Sequence, residues 1–425
     1  MRDFKSGELT EKEFREFSKD RDDLSFMQTP EVGELRKIYG SEVHFLGVKE
    51  KGKVVGASMI TITTTFRGKK TFYAPRGYML DYNDLDLLKF FTEEFSKYAK
   101  ERNGLMIKID PMVTYQMRDT NGSEYENPVK NDKVINDLKS LGYIHYGFNT
   151  DIIYTQSRWN YIVKLDVPYD ELVTRFSKST RKNIESSYEK GLLVRRAKKE
   201  ELAGLEEILV KTAERKGFNS RDLTYYNNMF DCLKDNMTVY VAYIEKKHLL
   251  DCTKKRLDEA LAKQKEVDDK MKVDMVGNKL LKQKEIADNQ VEKAKKEMEE
   301  AEEFAKTIDD KKDIGVLISL KSGKEYLTLY SGYLTEFSRF TPKYAMYNEH
   351  IKDAYKFKLS YLDFYGISGV FDPTDKNYGI FEQKKGFGGE VEELIGEFTY
   401  PIDKTNYKLY MKLRSIKRRI KEIKK

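Results

Sequence analysis

Between residues 43 and 109 the apolar positions first alternate and then regroup at helical spacing. Val43 to Val48, Lys53 to Thr65 and Thr71 to Ala74 read as successive strands, joined by the turns Lys51-Gly52 and Arg67-Gly68. From Asp84 to Arg102, Leu87, Leu88, Phe91, Phe95, Tyr98 and Ala99 share one face of a predicted helix. Leu105 to Ile109 then follows as a buried strand ahead of Asp110-Pro111. The same order returns further on, with a helix near Glu201 to Lys216 and a strand from Val239 to Ile244. Strands over Gly315 to Leu320 and Tyr326 to Tyr330, a helix from Pro342 to Phe357 and the strand Tyr361 to Tyr365 complete an α+β pattern.

Residues 249 to 306 break that pattern. Leu250, Thr253, Leu257, Ala260, Gln264, Val267 and Met271 recur in steps of three and four, and so do Leu280, Lys284, Ala287, Val291, Ala294, Met298, Ala301 and Ala305. Each series is a heptad seam, and Val276-Gly277-Asn278 separates the two. The stretch therefore reads as an antiparallel helical hairpin with arms of about 39 Å, long enough to project from a compact domain. Two uses fit it: a solvated spacer or dimerisation arm, or an arm that touches RNA or a partner protein. Because the hairpin interrupts a strand-to-strand connection, it is an insertion that leaves the core intact.

Composition narrows the class. With 425 residues, 29 Tyr and 23 Phe there is ample material for two cores, despite 35% charged residues. No apolar run approaches the roughly 20 residues needed to span a bilayer, and the start of the chain lacks a signal-peptide apolar region, so the expectation is a cytoplasmic protein. Cys232 and Cys252 have no CxxC spacing and no neighbouring His, and His44, His145, His248 and His350 are scattered, so a zinc site has no support. Neither a GxxxxGK[ST] loop nor a strand-linked GxGxxG is present.

The net charge of +7 is uneven: residues 404 to 425 hold ten Lys or Arg against Glu422 alone, which points to an anionic partner. Leu409, Leu413, Ile416, Ile420 and Ile423 make this tail a basic amphipathic helix. It either packs on the core with a solvated basic face or contacts tRNA or anionic lipid, and the two are compatible. Arg175, Lys178, Arg181, Lys182 and Lys190 form a second basic cluster around Tyr188, either a surface for RNA phosphates or a solvated helix face.

Leu138 to Tyr143 and Phe381 to Phe387 each run a helical turn into a Gly-aromatic step and then a strand. Acetyltransferase-like domains of the GNAT type commonly end so, which suggests two tandem copies. Further motifs occur in order: Phe26-Met27-Gln28-Thr29-Pro30, Tyr73-Ala74-Pro75-Arg76-Gly77, Ile109-Asp110-Pro111, Thr180-Arg181-Lys182-Asn183-Ile184, Arg221 with Tyr225-Tyr226-Asn227, Phe364-Tyr365-Gly366-Ile367-Ser368-Gly369, and Tyr378 to Phe387. With them the chain resembles the Fem (FemABX) aminoacyltransferases of peptidoglycan bridge synthesis over nearly its whole length. The hairpin and the segment Asp110 to Pro128, with Tyr115-Gln116, look most like members that extend an existing bridge.

The resemblance implies GNAT-like domains over 1–165 and over 166–245 with 310–400, a coiled-coil insertion over 246–309 and a basic helix over 401–425. It implies transfer of a small amino acid, Gly, Ala or Ser, from aminoacyl-tRNA to an amine of a peptidoglycan precursor, either lipid II or UDP-MurNAc-pentapeptide. No metal or CoA is implied, and contact with the inner face of the membrane fits a lipid-linked precursor. Since a tRNA ester is already activated, the protein must place an uncharged amine and stabilise an oxyanion. Lys384 matches the family lysine in that role; the alternative is that Lys384-Lys385 is a solvated pair at a strand edge. Arg221, Tyr225 and Tyr330 match positions that hold precursor phosphate and sugar, and Arg36 or Lys37 would cover the pyrophosphate. Arg175, Lys178, Arg181 and Lys182 would meet the tRNA acceptor end. Two departures stand out: Gln383 replaces the usual aromatic before Lys384 in the substrate groove, and Tyr78 stands where relatives often carry Pro. A different class also fits, a tRNA- or lipid-binding scaffold on the same fold. A CoA-dependent N-acyltransferase ranks last, because the Q/R-x-x-G-x-G/A loop is absent.

Overall fold

The structure is a computed structural model that describes residues 2–152, 155–217, 220–273 and 277–423, with side chains through 417. In the first part of the chain the strands are β1 (Phe4–Glu8), β2 (Glu42–Glu50), β3 (Lys53–Phe66), β4 (Lys69–Ala74), β5 (Gly104–Ile109), β6 (Thr114–Arg118), β7 (Ile144–His145) and β8 (Trp159–Lys164). In the second they are β9 (Leu192–Arg196), β10 (Met237–Glu245), β11 (Lys311–Ser322), β12 (Glu325–Tyr333), β13 (Tyr361–Gly366), β14 (Glu390–Leu394) and β15 (Phe398–Pro401).

These strands repeat one plan twice. β1 and β9 each pair antiparallel with the strand that follows two helices later, β2 and β10. A meander then leads to a helical crossover, Leu85–Glu101 or Pro342–Lys356, that returns as a parallel partner: β4 with β5, and β12 with β13. Each copy next runs a short helix, Asp132–Ser140 or Tyr378–Lys385, into β7 or β14. The fold is therefore α+β with two GNAT-like units in tandem.

The strand after each copy leaves it. β8 follows the first copy yet lies between β13 and β14 in the second sheet, and β15 follows the second copy yet lies between β5 and β7 in the first. The sheets are thus β1-β2-β3-β4-β5-β15-β7 and β6-β14-β8-β13-β12-β11-β10-β9. One apolar core, with Leu88, Phe91, Phe95 and Ile107, lies between the first sheet and the Leu85–Glu101 helix. The larger core extends from the second sheet to Val32, Leu35 and Met59 of the first copy. Gln28, fully buried, braces the first copy beneath that core: its Nε2 donates to the carbonyls of Met59 (3.1 Å) and Pro75 (2.6 Å), and its Oε1 accepts from Met59 N–H at 2.7 Å.

The hairpin grows from the β10–β11 connection, where Glu245 pairs with Lys311. Its arms are the helices Lys246–Val273 and Asn278–Thr307, about 42 and 45 Å long at 1.5 Å per residue. Thr253, Val267, Ala287, Val291, Ala294, Ala301 and Ala305 of the expected seam are buried, and Leu257, Gln264, Lys284 and Met298 are half-buried. Arg256 to Glu297 (2.7 Å), Gln264 to Asp288 (2.6 Å) and Lys284 to Asp268 (2.7 Å) step in opposite directions along the arms, which makes them antiparallel. Val276 of the expected break lies outside the described residues.

Two expectations change. His248 sits one helical turn before Cys252, with Sγ 3.5 Å from Nε2, so that cysteine does have a histidine neighbour; among the described residues no group of three or more His, Cys, Asp or Glu is arranged to hold a metal ion. The C-terminal helix Lys404–Ile423 is held by Tyr407, Tyr410 and Met411 against Phe66, Leu105 and Met106, rather than by the Leu409-Leu413-Ile416 stripe. Leu413 and Ile416 are 41% and 44% exposed, because a helix of about 30 Å runs past the end of β5. The side chains of Ile420 and Ile423 lie outside the described ones. No helix among the described residues is long and apolar enough to cross a membrane.

Replacing Gln28 with Ala leaves the Met59 N–H and the Pro75 carbonyl without their Gln28 partner, and the Met59 carbonyl with only a 3.4 Å contact from Ser58 Oγ. The expected loss is about 3 kcal/mol of stability, read as a lower urea midpoint; Leu46→Met should cost less than half as much.

Candidate active site

β12 and β13 hydrogen-bond only where Glu325 to Leu327 meets Tyr361 to Asp363. Beyond that point they part, and the strands splay between Tyr330 on β12 and Tyr365 on β13. On its far edge β13 pairs with β8, and the register slips: Asp363 faces Ile162 but Gly366 faces Asn160, three residues against two. This bulge puts Tyr365 at φ +62°. Bulges re-aim backbone groups, and here the carbonyls of Tyr365 and Gly366 converge on Lys384 Nζ, which donates to them at 2.9 and 2.7 Å.

Lys384 is 8% exposed and lies on the helix Tyr378–Lys385. The strand-edge alternative does not hold, since Lys384 is buried on a helix while Lys385 pairs with Glu382 at 2.9 Å. Burial lowers the Lys384 pKa, the Asp363 carboxylate opposes that shift, and the cation of Lys343 adds to it. Its helix is seated by Gly386, whose carbonyl accepts from Ser177 N–H at 2.8 Å. A Cβ on Gly386 would stand 2.2 Å from Thr180 Oγ1.

On the Tyr330 side, the Arg221 guanidinium lies 4.9 Å over the ring of Tyr225. Tyr226 meets Tyr330 edge-on at 5.9 Å and Tyr225 meets Tyr39 at 5.5 Å. Burial raises the phenols of Tyr225 and Tyr330, and Arg221 opposes both shifts. Three residues expected in the groove, Arg221, Tyr225 and Tyr330, thus form one cluster. Of the alternatives Arg36 and Lys37, the structure brings Arg36 to it: this side chain is half-buried beside Met27 Sδ (3.4 Å) and its charge is felt at Tyr225. Lys37 is exposed and paired with Glu34 at 2.7 Å. Neither Arg36 nor Arg221 has a carboxylate partner among the described residues.

Gln383 is half-buried at the inner end. Its Oε1 accepts from Lys343 Nζ at 2.9 Å, while its buried Nε2 has no partner. Lys343 escaped the sequence reading, although a lysine in the first turn after Thr341-Pro342 opposes the helix dipole and could have been noticed. Also missed were three acids raised first by desolvation, the buried Glu325 and Asp363 and the half-buried Glu392. They line the border with the first copy, where Arg76 N–H donates to Asp110 Oδ1 (2.6 Å), Tyr73 OH to Asp110 Oδ2 (2.7 Å) and Arg76 Nη2 to the Ser157 carbonyl (2.8 Å). The Tyr73–Gly77 and Ile109–Pro111 motifs thus meet each other.

Lys178, Arg181 and Lys182 project from the helix Lys178–Glu189, which abuts Gly386, and form no ion pair among the described residues. Arg175 is held by Asp166 at 2.9 Å. Lys190 and Tyr188 do not join this face: Lys190 donates to the Arg339 carbonyl (2.7 Å) at the hairpin root, and Tyr188 OH to Glu349 (2.9 Å).

Two GNAT-like units that share strands define a tandem GNAT fold, with a buried lysine where the second sheet splays. The FemAB family profile matches residues 9–415. Aminoacyltransferase FemB of Staphylococcus epidermidis (strain ATCC 12228 / FDA PCI 1200) is 30% identical over 427 residues, covering 98% of this chain and 99% of its own. Aminoacyltransferase FemA of Staphylococcus epidermidis (strain ATCC 35984) is 28% identical, covering 96% and 99%. The crystal structure of FemX has the same fold, with a TM-score of 0.79 at 24% identity over 95% of this chain and 99% of that one. The chain belongs to the FemAB family and is an enzyme of the aminoacyltransferase class.

Gly386→Ala forces Thr180 and its helix away. The expected cost is about 1–3 kcal/mol, recovered largely by adding Thr180→Ala, as measured by thermal unfolding of the single and double variants.

Proposed function

We propose that this enzyme transfers a small amino acid, Gly, Ala or Ser, from aminoacyl-tRNA to an amine of a peptidoglycan precursor, extending a cross-bridge on a lipid-linked stem peptide. The observation that carries the proposal is the buried Lys384 ammonium, pinned by two carbonyl oxygens at the splay of β12 and β13. An ester is attacked by an amine through a tetrahedral oxyanion, and a fixed cation in a water-poor cleft stabilises that charge without reorganising. Two of the three Lys384 N–H groups are taken by Tyr365 and Gly366, which leaves the third for the oxyanion.

Arg221, Tyr225, Tyr330 and Arg36 suit the precursor's phosphates and sugar. Guanidinium groups with no carboxylate partner bind phosphate oxygens in a bidentate fork, and the tyrosines offer hydroxyls beside them. Lys178, Arg181 and Lys182, with Arg175 beside them, suit the phosphates of the tRNA acceptor end, since their helix rests on Gly386, two residues from Lys384. A lipid-linked precursor would place the enzyme at the inner face of the membrane.

The test is transfer of labelled Gly, Ala or Ser from charged tRNA to lipid-linked precursors with and without a preformed branch. Lys384→Ala is expected to lower kcat by on the order of a hundred- to a thousand-fold with little change in KM. Transfer that survives Lys384→Ala, or no transfer with retained RNA or lipid binding, would favour the scaffold. Changing Lys178, Arg181 and Lys182 together to Ala should raise KM for the tRNA and flatten its salt dependence while sparing kcat.

A further inference from the structure

The C-terminal helix Lys404–Ile423 has two apolar faces, and the fold uses one of them. Tyr407, Tyr410 and Met411 pack on Phe66, Leu105 and Met106. At about 100° per residue, Leu409, Leu413 and Ile416 centre roughly 150° round the helix from that contact, on its far side. Leu413 and Ile416 are exposed there, and Ile420 and Ile423 continue the spacing in the sequence.

A second exposed apolar group adjoins the start of this helix. β7 is the last strand of the first sheet, and Ile144 within it and Tyr146 just past it are both exposed. Tyr146 OH is bonded to Tyr407 OH, which joins the sheet edge to the helix. Between them lies a groove of about 360 Å³, lined by Ile144, Tyr400, Pro401 and Tyr407 and by Lys404 and Lys408.

The charge around these apolar groups has one sign. Lys404, Lys408, Lys412, Arg414 and Lys417 form no ion pair among the described residues. By helical spacing Lys408 and Lys412 flank the Leu413-Ile416 stripe on one side and Lys417 on the other. The neighbouring acids are already taken, Asp403 by Lys69 at 2.9 Å and Glu397 by Lys108 at 2.7 Å. Apolar side chains framed by cations match a surface that is anionic outside and apolar within, which is a bilayer of acidic phospholipids. An RNA backbone would satisfy the cations but gives Leu413 and Ile416 nothing to enter.

We propose that the outer face of this helix, with the β7 edge beside it, docks on an anionic phospholipid bilayer. Leu413 and Ile416 enter the boundary between headgroups and acyl chains, and the flanking lysines meet lipid phosphates. The inference deepens the lipid-linked acceptor proposed above and rests on that reading for its purpose: enzyme and acceptor then meet on one surface, at a raised effective concentration.

The experiment is flotation of the full chain with vesicles of phosphatidylcholine, alone or mixed with phosphatidylglycerol, without tRNA or precursor. Binding is expected to the anionic vesicles and should weaken as salt rises. Changing Lys404, Lys408 and Lys412 together to Ala should lower affinity about a hundred-fold. Leu413→Ser combined with Ile416→Ser should lower it about ten-fold or more, with an unfolding midpoint close to that of the wild type. Ile416→Trp should show a blue shift of emission on anionic vesicles, above the constant signal of the buried Trp159. No flotation, equal binding to neutral vesicles, an unshifted emission from the tryptophan variant, or serine variants that bind as the wild type does would each overturn the docking face. A lysine variant that loses tRNA affinity and keeps vesicle binding would overturn it in favour of an RNA contact. The parent reading fails separately, since transfer to a lipid-linked acceptor would be absent while flotation persists.

Discussion

The whole molecule depends on a reciprocal exchange of strands. β8 completes the second sheet and β15 completes the first, each sent across by the other copy. A sheet that lost its borrowed strand would be split, with rows of backbone N–H and C=O groups unpaired in a buried region. The copies therefore cannot separate without breaking both ladders, and their border tolerates charges that a looser contact would not. Glu393 is bonded to Arg158 and to Arg118 Nε (2.9 Å), and Lys108 to Glu397 (2.7 Å). Buried ions of this kind persist when each has a partner in fixed geometry, which the shared strands supply.

The site follows from that arrangement. β8 enters beside β13 with one residue fewer over the last stretch, and the resulting bulge turns the Tyr365 and Gly366 carbonyls toward Lys384. On the other edge β13 has already parted from β12 before Tyr330 is reached. The lysine helix is fixed from outside by the Ser177-to-Gly386 bond, and that contact also anchors the basic helix beginning at Lys178. One insertion therefore shapes the cleft, and one glycine couples it to the basic face.

What the sequence disclosed and what it hid have a common cause. Amphipathic periodicity is local, so the meanders, both crossover helices and the hairpin seam were legible from residue spacing. Strand partners are not local. Nothing in Trp159 to Lys164 or in Phe398 to Pro401 announces that each pairs in the other copy's sheet, because either run alternates well enough to sit beside many neighbours. Side-chain direction was equally hidden: Lys190 looked like part of the basic cluster until the chain carried it to Arg339, and Arg36 and Lys37 differ only in which side of one helix turn meets the aromatic cluster. The C-terminal stripe misled for a related reason, since a helix longer than the sheet it caps leaves part of its apolar face unpacked.

The charges of the cleft are divided by chemistry. At the outer end stand Arg36 and Arg221, guanidiniums that neither burial nor neighbours can neutralise; they rest against sulfur and a tyrosine ring rather than carboxylates. At the inner end stand Lys343 and Lys384, amines whose protonation does respond to surroundings. A permanent cation suits a permanent anion, and a titratable one suits a step in which charge appears. The nearby acids are the buried Glu325 and Asp363 and the half-buried Glu392; desolvation raises all three, and Asp363 still favours the charged form of Lys384. Arg36 and Arg221 thus keep a charge that the proposed phosphate contact would complete, and Lys384 one that the proposed oxyanion contact would.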